Sequence, residues 1–242
     1  LSNNNVSLGG TITAGGNIAL NLAVGGASLL DANIVGADLD APAVSIIASG
    51  AIGAADAIVL QTELLTASTG AGSARIFNAS ACCVTVNGLT VSGAGAFIEL
   101  SNSGGGALNV AGGVSTSSGG ISFVNTGGDL SVSSTINAGN SGPVTLQTVC
   151  SGSIQVNNSV ASAPGGGLCG TTTLCAADNI LGNGTIIAET VSLTAGLSVG
   201  QSGNQPVVTS KFLSASAGPD GDVVLVVDDN LGLTLSSVNL AL

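Results

Sequence analysis

Between Ile98 and Ser162 the chain repeats itself about every 23 residues, and this self-similarity restricts the folds open to it more than any other feature. The apolar pairs Ile98/Leu100, Ile121/Phe123 and Val144/Leu146 follow one another at steps of 23 residues. A second rank, Leu108/Val110, Leu130/Val132 and Ile154/Val156, keeps pace at steps of 22 and 24, as does a third rank of single residues, Val114, Ile136 and Val160. Members of a pair sit two positions apart, the spacing of one face of a strand, and clusters of Gly, Ser and Asn between pairs turn the chain. Three short strands and three turns in about 22–23 residues describe one coil of an all-β parallel β-helix, or β-solenoid. Each strand then pairs with its counterpart one coil away, at about 4.8 Å. Ile98, Ile121 and Val144 are expected to be successive neighbours, and so are Leu108, Leu130 and Ile154. A β-sandwich is the competing arrangement, but its hairpins do not require a fixed register over three cycles.

Composition points the same way. Aromatic residues are 2% of a chain that is 45% hydrophobic, and Met, Trp, Tyr and His are absent. A globular core draws much of its buried area from aromatics, whereas a solenoid interior one side chain deep does not need them. We therefore read residues 1–242 as one rod. Thirteen acids oppose only Arg75 and Lys211, for a net charge of −11. Nucleic acid and anionic lipid both call for clustered cations, so neither is an expected partner. Mean hydropathy is +0.63, yet the uncharged run 101–128 is rich in Ser, Asn and Gly, and no window is apolar enough for a membrane-spanning helix. The opening LSNNN lacks the basic region of a signal peptide, so the chain reads as a mature or internal segment.

Along the chain, residues 1–75 carry the pattern in irregular coils (Ile18, Leu20 and Leu22; Val44 and Ile46; Ile58 and Leu60), and 76–162 form the regular ones. The register breaks at 163–190, where Val191 follows Val144 by 47 residues, and again at 200–222, where Val223 follows Val191 by 32. Both stretches are expected to be loop insertions. Leu233 and Leu235 then follow Val223 and Leu225 by ten residues. Val6 and Leu8 near one end and Val238, Leu240 and Leu242 near the other continue the strand pattern without a polar cap. That predicts end-to-end association with another copy, or continuation of a longer chain.

Residues suited to chemistry are sparse. Asp31, Asp38 and Asp40 lack the spacing of a calcium loop and read as solvated turn residues. Arg75 and Lys211 lie 136 positions apart, so on a rod they cannot share a site, and Asp228 and Asp229, adjacent in a strand, point to opposite faces. GGG at 104–106 and 165–167 lacks the Lys of a phosphate loop. No catalytic residue, cofactor or metal site is expected. Asn5, Asn78, Asn157 and Asn183 begin Asn-x-Ser/Thr sequences of the kind chance supplies in so Asn- and Ser-rich a chain. An ice-binding face would need Thr ranks on successive coils, and the Thr-x-Thr at 11–13 is isolated. Of the five cysteines, Cys82 and Cys83 precede Cys150 by about three coils, too far to bridge. Coil arithmetic predicts a disulfide between Cys150 and Cys169 or Cys175, or between the latter two, in an oxidising compartment.

The wording of the regular coils, GGISFVNTGGDLSVSSTINAGNSGPVTLQ and GSIQVNNSVASAPGGG, resembles the repeat region of filamentous-haemagglutinin-like exoproteins of bacteria over about residues 76–200. The chain has neither their NPNL-type sequence nor RGD, and its cysteines depart from their repeats, so the resemblance is to the rod alone. It implies a right-handed β-helix, secreted through an outer-membrane barrel by a two-partner route. The implied place is the cell surface or extracellular space, in adhesion, biofilm or a surface fibre, with a host-cell or surface glycan or protein as possible receptor. The alternative from another class is a carbohydrate-active β-helix enzyme or a phage tail-spike-like module.

Overall fold

The computed structural model describes residues 5–32, 36–162, 169–228 and 234–240. Gly165–Gly167, Asp229, Leu233 and Leu242 lie outside that set. Strands alone make up the regular structure of the described residues: an 11-stranded sheet, a 14-stranded sheet and the pair Val6–Leu8 with Leu29–Asp31. Every ladder between strands is parallel and joins a strand to its counterpart one coil on, which is a β-solenoid. Ten steps between the strands of the first sheet, at about 4.8 Å each, make a rod roughly 50 Å long.

One coil shows the local logic. Ile98–Asn102 belongs to the first sheet; Leu108–Val110 and Val114–Thr116 belong to the second. In the next coil Ile121–Thr126 buries alternate residues, because successive side chains of a strand point to opposite faces. Ile98 lies opposite Ile121 and Ile121 opposite Val144. In the second sheet Leu108 lies opposite Leu130, and Leu130 opposite Ile154. One interior rank runs Ile58, Ile76, Leu100, Phe123, Leu146, Leu174, Leu193 and Ala215, all buried. Burying each of its larger side chains contributes about 1.5–3 kcal/mol.

The N-terminal coils divide differently. There the second sheet carries one continuous strand per coil, Asn17–Leu22, Ala43–Ala48 and Leu64–Thr69. The other side is split, as in Leu29–Asp31 and Leu39–Asp40. The changeover is Val84–Val91, which pairs with the single strand Leu64–Thr69 behind it and with two strands, Leu108–Val110 and Val114–Thr116, ahead. A register shift between Val86 and Gly88 makes the division.

Residues 169–190, the described part of one stretch expected to be an insertion, and 200–222, the other, contain coil strands instead. Within 163–190 lie Thr171–Ala176, Ile180–Leu181 and Thr185–Ile187, each in register with its neighbours. The missing inward residue of the first rank is Thr172, opposite Val144 and Val191 and fully buried. Its hydroxyl at an interior position hid the pair from a search for apolar residues. Within 200–222 lie Val207–Thr209 and Phe212–Ala217, and Leu213, not Val223, is the neighbour of Val191. Val223 bridges Val199, and the partner of Leu235 is Leu213.

At the corner that ends the first-sheet strands, three asparagines stack inside the rod. Asn78 Nδ2 donates to Asn102 Oδ1 at 2.9 Å, and Asn102 Nδ2 donates to Asn125 Oδ1 at 2.7 Å. The ladder is closed at one end by the Thr62 N–H donating to Asn78 Oδ1, and at the other by Asn125 Nδ2 donating to the Gly128 carbonyl. All three are fully buried, so each amide needs these partners. The turn beyond is held to glycine at two places: a Cβ on Gly106 would run into the Cys82 carbonyl of the preceding coil, and Gly127 has φ 84°.

Asn102→Ala strands the amide of Asn78 and the carbonyl oxygen of Asn125 inside the rod. At about 1–3 kcal/mol for each unsatisfied group, the thermal midpoint should fall by several degrees. The control Ser101→Ala, one residue away and outward, should leave it unchanged.

Candidate functional site

The search for chemistry starts from the two cations. Arg75 and Glu99 are opposite one another on adjacent coils of the first sheet's outer face, with Nε and Oε2 3.0 Å apart. The guanidinium also lies over the Phe97 ring, 5.1 Å from its centroid. Lys211 Nζ is 3.2 Å from Glu189 Oε1. Each cation thus meets an acid about one coil away, in an exposed pair contributing about 0–1 kcal/mol. A shallow depression of about 240 Å³ beside Arg75 is lined by Ala57, Phe77, Glu99 and Val124 among others.

Asp31, Asp38 and Asp40 do not converge. Asp31 lies opposite Leu8 and Asp40 opposite Thr13, whereas Asp38 is fully buried and its Oδ2 accepts from the Val59 N–H at 2.7 Å. Asp38 is therefore a fixed part of the ladder rather than a solvated turn residue. Among the described residues no group of three or more His, Cys, Asp or Glu could hold a metal ion.

The largest ordered feature on the surface is the outer face of the first sheet. Side chains alternate in and out, and the strands are in register, so outward residues form columns along the rod. One column runs Ser122, Thr145, Thr173, Ser192, Ser214, Ser237, a hydroxyl on six successive coils. Beside it run Val124, Gln147, Cys175, Thr194 and Ser216. Over these coils neither column contains a charge; before Ser122 the first column continues into Glu99 and Arg75. Neighbouring residues of a column stand about 4.8 Å apart along the rod, with about 6.7 Å between columns. Ser214 and Ser237 share a hydrogen bond of 2.9 Å. A Thr-x-Thr pattern within a strand does not reveal this array, because the regularity runs across coils at single positions. Thr145, Thr173 and Ser192, at steps of 28 and 19 residues, were the available signal.

All five cysteines are free thiols. Neither the expected bridge from Cys150 to Cys169 or Cys175 nor the alternative between Cys169 and Cys175 is formed, and for Cys150 register is the reason. Cys175 lies opposite Gln147, three residues before Cys150, a displacement of roughly 10 Å along the strand. Cys169 precedes the strand Thr171–Ala176, while Cys150 follows the partner strand Val144–Val149, so the two stand at opposite ends of one ladder. Cys82, Cys83 and Cys150 are exposed; Cys169 and Cys175 are half-buried. Cys150 has φ 72°, in the turn position that Gly127 fills one coil earlier. Of the four Asn-x-Ser/Thr sequences, that at Asn78 is closed to a glycosyl donor, because its amide is inside the rod. Asn5, Asn157 and Asn183 are exposed.

Compared with known proteins, the chain matches no protein-family model, no curated protein and no solved structure.

Maleimide labelling of the folded chain should modify Cys82, Cys83 and Cys150 first, and Cys169 and Cys175 more slowly. Peptide mass mapping over a time course checks the order; Cys175 reacting first would place it on the wrong side of its strand.

Proposed function

We propose that the chain is the shaft of an extracellular, cell-surface fibre that serves adhesion and carries no catalytic centre. The observation that carries this reading is the form itself: coil after coil paired by the same ladders, with no second domain between them among the described residues. Such a body transmits position along its axis and presents one repeated surface. The rest fits the same role. Both bases are engaged with acids, which leaves neither poised for proton transfer. The hydroxyl columns from Ser122 to Ser237, beyond the paired Arg75 and Glu99, suit a neutral surface, such as a glycan or a protein receptor, better than a phosphate-bearing one. Because the ladders that join one coil to the next are made of backbone groups, the rod can be extended by a second copy or by more of the same chain. The likeness of the regular coils to bacterial exoprotein repeats supports a secreted, outer-membrane-associated location.

Sedimentation of the purified chain over a wide concentration range, with negative-stain images of the same samples, tests the fibre. Rods of uniform width that lengthen with concentration are expected, and monomers at every concentration would contradict end-to-end stacking. Adhesion is tested with beads coated with the protein and washed over cultured epithelial cells. Thr173→Lys with Ser192→Lys, which charges the centre of the face, should release them; unchanged retention would remove this face from the account.

A further inference from the structure

Phenylalanine is the only aromatic residue type in the chain, with four copies, and two of them, Phe77 and Phe97, stand beside the single arginine. On the outer face of the first sheet one column reads Arg75, Glu99, Ser122 and the next reads Phe77, Ser101, Val124, on the same three coils. Two coil steps, about 9.6 Å, separate Phe77 from Val124, and the small Ser101 is the residue between them. That sequence of large, small and large side chains makes the hollow of about 240 Å³ beside Arg75. Phe77 and Val124 close it along the rod, and Arg75 and Glu99 form its side. It falls below the roughly 300–1,000 Å³ of pockets for drug-sized ligands, so it takes a single ring.

The chemistry gathered there is mixed. Phe97 backs the guanidinium at 5.1 Å and fixes it at the side of the hollow. Arg75 Nε stands 3.0 Å from Glu99 Oε2, yet its N–H is not directed at that oxygen and makes no hydrogen bond. The pair is therefore held by charge, with hydrogen-bonding capacity to spare on both partners. A carboxylate acceptor, a guanidinium donor, the hydroxyls of Ser101 and Ser122 and an apolar ring thus line one small place. Glu99 neutralises Arg75, and a chain of net charge −11 opposes any anion that approaches. A sugar answers every part of this description. One face of a pyranose ring is apolar C–H, its hydroxyls both donate and accept, and it carries no charge.

We infer that the hollow is a subsite for one neutral pyranose unit of a glycan. The C–H face of the sugar packs on Phe77. One hydroxyl donates to the Glu99 carboxylate and its neighbour accepts from Arg75, which completes the hydrogen bonds the ion pair lacks. The following units of the glycan run from Ser122 onto the hydroxyl columns. The assignment rests on the outer face of the first sheet being the adhesive surface, and it fixes the receptor of that surface as a neutral glycan.

The test is retention of the full chain on immobilised amylose, galactomannan and xyloglucan, with heparin beside them, at low and high salt. Expected is retention on at least one neutral polysaccharide, unchanged by salt because the ligand has no charge to screen. Phe77→Ala and Glu99→Gln should each weaken it by roughly tenfold, and Ser101→Leu, which fills the hollow, should abolish it. Phe212→Ala removes an exposed ring outside the hollow and should change nothing. Thermal melts establish that each variant is folded. No retention on any neutral polysaccharide, preference for heparin, or retention that survives both Phe77→Ala and Ser101→Leu would overturn the assignment. Beads that still hold to cells while the chain ignores every polysaccharide would leave the adhesive face standing, with a protein as its receptor, and remove the sugar site.

Discussion

The constraint on which everything else rests is in-register stacking: the nearest neighbour of a residue is its own counterpart one coil away. In a globular core a polar side chain can seek a partner from any direction. In this rod an inward polar residue must be satisfied by the coil above, the coil below or the adjoining turn. Asn78, Asn102 and Asn125 meet that condition by repeating the same residue at the same place, so that each amide donates to the next. Arg75 meets it on the outside with Glu99 directly opposite. Thr172 does not: it is fully buried between Val144 and Val191, and its hydroxyl has no partner. Burial without a hydrogen bond costs about 1–3 kcal/mol, a cost that a stack of otherwise apolar coils tolerates.

The same constraint decides what was legible in the sequence. Ranks made wholly of aliphatic residues, such as Leu108, Leu130 and Ile154, declared both the strand and its partner, because repetition in space is repetition in sequence. Where one member of a rank is polar the signal fails, as at Thr172, and an entire coil reads as an insertion. The loose register before residue 75 had another cause. Those coils split the opposite side of the rod, so distances between equivalent residues change while the ladders stay intact. The asparagine ladder was invisible to a search for apolar repeats, although Asn78, Asn102 and Asn125 recur at steps of 24 and 23. Cysteine spacing misled for a related reason: a separation of about one coil places two residues on adjacent coils but not at the same point along the strand. Cys150 and Cys175 differ by that second coordinate.

What the rod offers to its surroundings follows from the same geometry. Because outward residues are also stacked, any preference at one position becomes a stripe, and hydroxyls at one position become six in a column. A surface of that kind is extended and repetitive rather than pocketed. It suits contact with another extended body, many weak interactions acting together in place of a single strong site. The turns make the second kind of stripe, glycines that let one coil lie on the next and leave the rod's edge open to approach.

Cross-linking at chosen register positions tests the stacking most directly. In a chain whose native cysteines are replaced by serine, Ser122→Cys with Thr145→Cys places two thiols on directly opposed positions of adjacent coils. Their Cα atoms are about 4.8 Å apart, within disulfide range. Ser122→Cys with Gln147→Cys moves one thiol two residues along the strand, to about 8 Å. The account predicts ready intrachain bridging for the first pair and little for the second. Equal bridging of both, or bridging of the second alone, would contradict the register on which the fold, the surface columns and the corner ladder all depend.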